Sequence, residues 1–237
     1  MKLSLLPSVP LALAVALAAT SAQPLPKTPG PYKGPTNFSS SGFVSTKDAL
    51  VISGGVSRGP GDKSTLLDIF ASLNLSAPWP TSQPLWTKLP TPTNVTNTAF
   101  GPIGLDKDGT KVYFFGAKSR QAFNLKSGKY ETAVNYAATP FYSELHTVTD
   151  TTSGLIYGLS PTPLDGSVAV NMVSFDPATG KVATRGPVPS GIEVDARGVY
   201  SKYTKSLYYF MSDGIDHSVL YSFNIETGTW AEVVSIS

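Results

Sequence analysis

The feature that most constrains this chain is a turn that returns at a fixed interval. An aromatic or apolar residue is followed by Asn or Asp, a short turn, a glycine and a new strand. The unit reads Phe123-Asn124-Leu125-Lys126-Ser127-Gly128-Lys129-Tyr130, then Phe175-Asp176-Pro177-Ala178-Thr179-Gly180-Lys181-Val182, then Phe223-Asn224-Ile225-Glu226-Thr227-Gly228-Thr229-Trp230. A looser copy begins at Leu73-Asn74-Leu75 and reaches its tryptophan late, at Trp86. Successive Asn or Asp positions lie 50, 52 and 48 residues apart. Near-identical hairpins at a constant period point to a repeat architecture in which each unit stacks on the next.

Each part of the unit has a mechanical reason. An Asn or Asp side chain bonds its own backbone two residues on and starts a turn. Pro177 stands where a type I turn welcomes proline. Gly128, Gly180 and Gly228 stand where the chain takes a positive φ to re-enter a strand. A short apolar run precedes each hairpin: Leu50 to Gly55, Lys111 to Gly116, Leu155 to Leu159 and Leu207 to Met211. Continuous runs rich in aromatic and β-branched residues read as strands buried on both faces, as in stacked radial sheets. The later three follow turns, and before those turns lie Phe100 to Leu105, Glu144 to Val148, and Gly198 to Tyr200. One unit is then strand a, turn, strand b, variable loop, strand c, glycine turn, strand d. The expected fold is an all-β propeller of about four blades, at 42–90, 98–133, 143–185 and 192–235.

Composition agrees with this class. The chain has 237 residues, 21 glycines and 20 prolines, enough breakers for many short strands. It is 41% hydrophobic and 14% charged, outside the range of disordered chains. The net charge is +2 without a basic cluster, so no nucleic-acid partner is expected. There is no cysteine, which excludes thiol catalysis and thiolate metal sites.

The N-terminus reads as a signal peptide over residues 1–22. Lys2 supplies the positive charge, Leu3 to Leu17 the apolar stretch, and Ala18-Ala19-Thr20-Ser21-Ala22 the small residues for cleavage. The apolar stretch is shorter than the roughly 20 residues a membrane span needs and carries Pro7 and Pro10. Secretion, with no membrane span left after cleavage, is the expectation. Residues 23–41, rich in Pro, Ser, Gly and Thr, read as a flexible lead-in. Asn37, Asn74 and Asn94 each open an Asn-x-Ser/Thr sequon and are candidate glycosylation sites.

The first unit resembles fungal secreted kelch-repeat proteins, relatives of the galactose-oxidase propeller. The resemblance rests on Leu50-Val51-Ile52-Ser53-Gly54-Gly55, on Leu73-Asn74-Leu75-Ser76, and on Pro84-Leu85-Trp86-Thr87-Lys88-Leu89. A double glycine closing strand b and a tryptophan in strand d mark that family. The period of about 50 also fits kelch blades better than the shorter WD repeat. Only the first unit keeps the double glycine, and Tyr130 and Val182 replace the tryptophan in the middle units. Kelch propellers usually close with more blades than this chain holds, so a partial or open ring is expected. The fourth unit, with Tyr208, Tyr209, Phe210 and Trp230, carries an aromatic load that wants a neighbour.

The resemblance brings no catalytic site with it. A galactose-oxidase copper centre needs a cysteine cross-linked to tyrosine, and two histidines together. This chain lacks cysteine, and its two histidines, His146 and His217, lie far apart in the repeat frame. His146 reads as a buried structural residue. Asp106-Lys107-Asp108-Gly109 resembles the start of a calcium loop, but Ala117 stands where that loop needs Glu. It reads as a hairpin turn. There is no phosphate loop, nucleophile elbow or zinc-helix motif, and no cofactor or metal is expected.

Two functions of different class follow. One is an extracellular binding, adhesion or scaffold module that contacts a protein or a cell-wall glycan. The alternative is a carbohydrate-active or oxidative enzyme whose site is assembled from separate loops. In either case the variable b–c loops and d–a connections emerge on one face, and loops on a rigid scaffold usually carry binding. The candidate contacts are Arg58, Asp62 and Lys63 from the first unit, Arg120 from the second, and Asp213, Asp216 and His217 from the fourth.

Overall fold

A computed structural model of the chain describes residues 34, 41–58, 64–80, 82–92, 102–116, 119–135, 141, 146–160, 171–189, 197–212 and 218–236. The expected signal peptide and all of the lead-in except Gly34 and residue 41 lie outside them. The described residues form strands and turns, with no helix among them.

Four antiparallel sheets follow one another along the chain. Blade 1 holds β1 (Gly42–Ser45), β2 (Ala49–Ser53), β5 (Phe70–Asn74) and β6 (Trp86–Lys88), and between β2 and β5 a separate hairpin of β3 (Val56–Arg58) and β4 (Ser64–Leu66). Blade 2 holds β7 (Ile103–Leu105), β8 (Lys111–Phe115), β9 (Ser119–Asn124) and β10 (Lys129–Tyr130), with β11 (Val134–Asn135) also pairing β9. Blade 3 holds β12 (Val148–Thr149), β13 (Ile156–Leu159), β14 (Asn171–Phe175) and β15 (Val182–Pro187). Blade 4 holds β16 (Arg197–Ser201), β17 (Ser206–Ser212), β18 (Ser218–Asn224) and β19 (Thr229–Ile236). In each sheet the pairing order is a-b-c-d, the up-and-down meander that the repeat requires. This is a four-bladed β-propeller arrangement, and among the described residues no strand pairing closes the ring.

The a strands lie at the centre. β1 contacts β7, β7 contacts β12, and β12 contacts β16. Two hydrogen bonds tie blade 2 to blade 3 there: Leu105 N donates to Thr149 Oγ1 at 2.9 Å, and Thr147 Oγ1 donates to the Ile103 carbonyl at 2.5 Å. Sequence dictates the rest through alternation, because successive strand side chains point to opposite faces. Counted back from the Asn or Asp of each glycine turn, Phe123, Phe175 and Phe223 share one register position and face the preceding blade. Tyr113, Tyr157 and Tyr208 share another and face forward, as do Phe115, Leu159 and Phe210 two residues on.

This alternation builds three seams. Between blades 1 and 2 pack Val51, Phe70, Leu89, Val112, Phe114 and Phe123. Phe70 meets Phe114 and Phe123 edge-on, with ring centroids at 4.9 and 5.1 Å. Between blades 2 and 3 pack Tyr113, Phe115, Ala122, Phe141, Ile156, Val173 and Phe175. Between blades 3 and 4 pack Tyr157, Leu159, Met172, Leu207, Tyr209 and Phe223, with Trp230 against them. Each fully buried aromatic contributes on the order of 1.5–3 kcal/mol.

The expectation of strands buried on both faces holds for β8 and β13. In β17 it holds for one face only. Leu207 and Tyr209 are buried against blade 3, while Phe210 is half exposed. The aromatic load of blade 4 is thus divided: Tyr209 and Trp230 already have blade 3, and only Tyr208 and Phe210 look outward.

Candidate binding face

A propeller blade has two rims. One carries the a–b and c–d turns, the other the b–c loops and d–a connections. The first rim is consumed by its own bonding. Asn124 Oδ1 accepts from the Lys126 and Ser127 amides, both at 2.9 Å. Asp176 Oδ1 accepts from Ala178 N at 2.8 Å, and Asn224 Oδ1 from Glu226 N and Thr227 N at 2.9 and 3.0 Å. Gly128, Gly180 and Gly228 take φ of 67°, 72° and 68°, where a Cβ is disfavoured.

The residue after each Asn then reaches the neighbouring a–b turn. Leu75 N donates to the Asp48 carbonyl at 2.8 Å, Leu125 N to Thr110 at 2.9 Å, and Ile225 N to Lys205 at 3.1 Å. Blade 3 has Pro177 at this step, and proline has no N–H to give. In blade 4 the two turns are also joined by Lys205 Nζ to Glu226 Oε1 at 2.5 Å. The hydrogen bond and charge of Glu226 hold the Lys205 ammonium above its ordinary value.

Asp106 sits on the same rim. Its Oδ1 accepts from Thr110 N at 2.6 Å and Lys111 N at 2.9 Å, and its Oδ2 from Thr110 Oγ1 at 2.7 Å. Gly109 follows at φ 63°. Both carboxylate oxygens are occupied in shaping the turn, in line with the hairpin reading. Among the described residues no cluster of three His, Asp or Glu could hold a metal ion.

The second rim is built differently. The b–c connection of blade 1 is not a plain loop. It rises into the β3–β4 hairpin, with Val56 paired to Leu66 and Arg58 to Ser64. Gly54 and Gly55, at φ 67° and 124°, turn the chain out of the blade and into it. The Gly54 amide donates to the Ile69 carbonyl at 2.8 Å, and the Leu67 amide to Gly55 at 2.9 Å, closing the base. Leu66 is exposed on it. The variable b–c loop read from sequence is here a hairpin, and Gly59-Pro60-Gly61 between two strand-like triplets is its turn signal.

The candidate contacts distribute as follows. The Arg58 backbone ends β3, at the base of the hairpin tip. Asp62, Lys63, Asp213, Asp216 and His217 lie outside the described residues, as do Asn37 and Asn94. Asn74 ends β5 in a turn in which its Oδ1 accepts from Ser76 N and Ser76 Oγ at 2.8 and 2.7 Å, and it belongs to the a–b/c–d rim.

Arg120 is not in a loop. It is the second residue of β9 and faces forward, in the register position of Met172 and Leu220. Its guanidinium lies over the Phe175 ring, 4.9 Å from the centroid, and a Cβ on Gly180 would stand 3.0 Å from its Nη2. The side chain therefore spans the seam between blades 2 and 3. His146, near β12, is buried with its ring 5.7 Å from that of Phe43 in β1.

No protein-family model matches the chain, and no curated protein matches it in sequence. Among solved structures it is similar to that of YjhT, with TM-score 0.56 and 15% identity over 90% of this chain and 68% of that one. An auxiliary nutrient binding protein from Bacteroides ovatus aligns with TM-score 0.48 and 17% identity, over 80% of this chain and 38% of that one. At these identities the likeness shows the fold alone.

Proposed function

We propose that this chain is a secreted kelch-type propeller module whose b–c and d–a rim binds a protein or a cell-wall glycan. The supporting observation is the asymmetry of the two rims. On one, turns bond to turns and side-chain carboxylates and amides face their own backbone. On the other, the β3–β4 hairpin stands out from blade 1 and leads to Asp62 and Lys63. Asp213, Asp216 and His217 lie in the b–c connection of blade 4, on the same rim by topology. A rigid scaffold with unlike loops on one rim suits recognition.

The test is binding of the full secreted chain to arrayed cell-wall polysaccharides and to extracellular protein extracts. Alanine at Asp62, Lys63, Asp213, Asp216 or His217 should weaken binding about tenfold or more, on the order of a lost charge-assisted hydrogen bond. Alanine at Lys126 or Lys181, on the opposite rim, should leave it unchanged. The reverse pattern would reject the rim assignment. Conversion of a sugar substrate by the wild-type chain would turn the reading towards an enzyme.

A further inference from the structure

Asn74, Asn124 and Asn224 hold the same place in their blades, the end of strand c, and blade 1 uses its copy differently. Asn124 Oδ1 and Asn224 Oδ1 each accept from two backbone amides, and Gly128 and Gly228 then return the chain. Asn74 Oδ1 accepts from one amide, Ser76 N at 2.8 Å, and from a hydroxyl, Ser76 Oγ at 2.7 Å. No glycine follows before Trp86. In the other two blades Lys126 and Glu226 stand at the position of Ser76. Of these three turns, blade 1 alone places a hydroxyl two residues after the Asn, with Leu75 rather than proline between them. That is the acceptor pattern for N-linked glycosylation.

Two features of the fold suit Asn74 to carry a glycan. The first is the orientation of its carboxamide. A backbone N–H donates to the atom that faces Ser76, so that atom is the oxygen. The turn therefore uses Oδ1 and leaves Nδ2, the atom that takes a sugar. Leu75, Ser76, Ala77 and Pro78 beside it are all exposed. The second feature is an apolar collar. Trp79 Nε1 donates to the Asn74 carbonyl at 2.9 Å, and Asn74 N donates to the Leu85 carbonyl at 3.0 Å. Leu75 and Leu85 are 46% and 44% exposed. An indole and two leucines thus gather around a polar side chain on an exposed connection. Exposed apolar surface of this kind marks a contact. A sugar ring offers C–H faces that pack on an indole or a leucine while its hydroxyls stay in water.

We infer that Asn74 carries an N-linked glycan whose first sugars lie against Trp79 and Leu75. The inference rests on the secreted reading above, because the sugar donor and its transferase belong to the secretory pathway. In the transfer, Asn74 Nδ2 forms a bond to C1 of the first sugar of a lipid pyrophosphate oligosaccharide. The bond from C1 to the pyrophosphate oxygen breaks, its electron pair leaves with the lipid pyrophosphate, and one Nδ2 proton is released. A glycan is bulky and solubilising. Here it covers the a–b/c–d rim of blade 1 and leaves the β3–β4 hairpin, on the opposite rim, clear.

The experiment is secretion of the full chain from a eukaryotic host. Its peptides are mapped by mass spectrometry after an amidase releases N-linked glycans and marks each former attachment site by deamidation. Asn74 should carry the mark. Ser76→Ala should lose it at this position alone, and Ser76→Thr should keep it. The placement of the sugars is read on the chain with Asn37→Gln and Asn94→Gln, in which Asn74 is the remaining sequon. Hydroxyl-radical oxidation of Trp79 should be slowed by the glycan, and that protection should be lost when the amidase removes it. A secreted chain with Asn74 unmodified overturns the inference and leaves the secreted reading standing. A chain retained in the cell with residues 1–22 attached overturns both. Equal oxidation of Trp79 before and after release overturns the packing of the sugars against it.

Discussion

Phe115 and Phe210 are the same residue type in the same place in two blades, and they meet opposite fates. Phe115 closes on Phe141 and Phe175, with ring centroids at 4.8 and 5.1 Å. Phe210 is half exposed, with no blade packed over it among the described residues. Nothing in the blade's own pattern separates the two; both strands read as buried on both faces. The difference comes from the neighbour. In a radial repeat a residue is core only when the next unit is present, so burial belongs to the array.

The largest effect that would break this comparison is a matched truncation. Phe115→Ala removes a ring from a packed seam and should cost about 3–5 kcal/mol in denaturant unfolding. Phe210→Ala, measured on dilute protein, should cost less than about 1 kcal/mol, the range of exposed positions. Equal costs would mean that the open face is covered.

Glycine sharpens the same point at smaller magnitude. Gly104 and Val199 are register equivalents in their a strands. A Cβ at Gly104 would stand 2.6 Å from Ile156 Cδ1, so the glycine is the hollow that receives blade 3. Gly104→Ala should cost about 1–3 kcal/mol through overpacking. Val199→Ala should stay within about 0.5 kcal/mol.

The polar edge of the covered seam gives a pH signature. Asp150 is buried beside the a–b turn of blade 3, where Ser153 Oγ and Thr152 N donate to it at 2.5 and 2.7 Å. Thr152 Oγ1 in turn lies 3.1 Å from Tyr200 Oη of blade 4. Burial opposes ionisation of Asp150, but the hydrogen bonds from Ser153, Thr152 and Tyr200 outweigh it and hold the carboxyl below its ordinary value of 3.8. A carboxylate depressed in the folded state stabilises above its unfolded value, and that stability is lost as pH falls through the folded value. Asp150→Asn should therefore cost about 1–2 kcal/mol at neutral pH. Its deficit should shrink below pH 3.8 in acid titrations followed by circular dichroism.

An effect of opposite sign is expected at Tyr209, on the covered side of blade 4. Its ring is buried in the seam, burial pushes its hydroxyl well above the ordinary range, and its Oη has no hydrogen-bond partner among the described residues. Tyr209→Phe should be neutral or stabilising by up to about 1 kcal/mol in thermal unfolding.

The parts of this molecule that were legible in the sequence are those governed by local chemistry. Asn124, Asp176 and Asn224 announce their turns because each bonds its own backbone within three residues. Gly128, Gly180 and Gly228 mark the positive φ that follows. What was not legible depends on contacts between units. Arg120 reads as a loop charge until register places it in step with Met172 and Leu220, pointing at the next blade. The donations from Leu75, Leu125 and Ile225 to their a–b turns join elements some 15–27 residues apart. No pattern of types announces them, although Pro177 is explained once they are seen. Of the binding-face candidates, Asp62, Lys63, Asp213, Asp216 and His217 lie in connections whose lengths and residues differ from blade to blade. Repetition gives no second copy from which to read them.

The central claim is that blade 4 presents uncovered the same face that blades 2 and 3 bury. Hydroxyl-radical footprinting of highly dilute protein, read residue by residue by mass spectrometry, tests it directly. Tyr208 and Phe210 should be oxidised readily, while Tyr113, Phe115 and Tyr157 stay protected until the protein unfolds. If Tyr208 and Phe210 are as protected as Tyr157 and Phe115 at every dilution, the ring is closed over that face and the account is wrong.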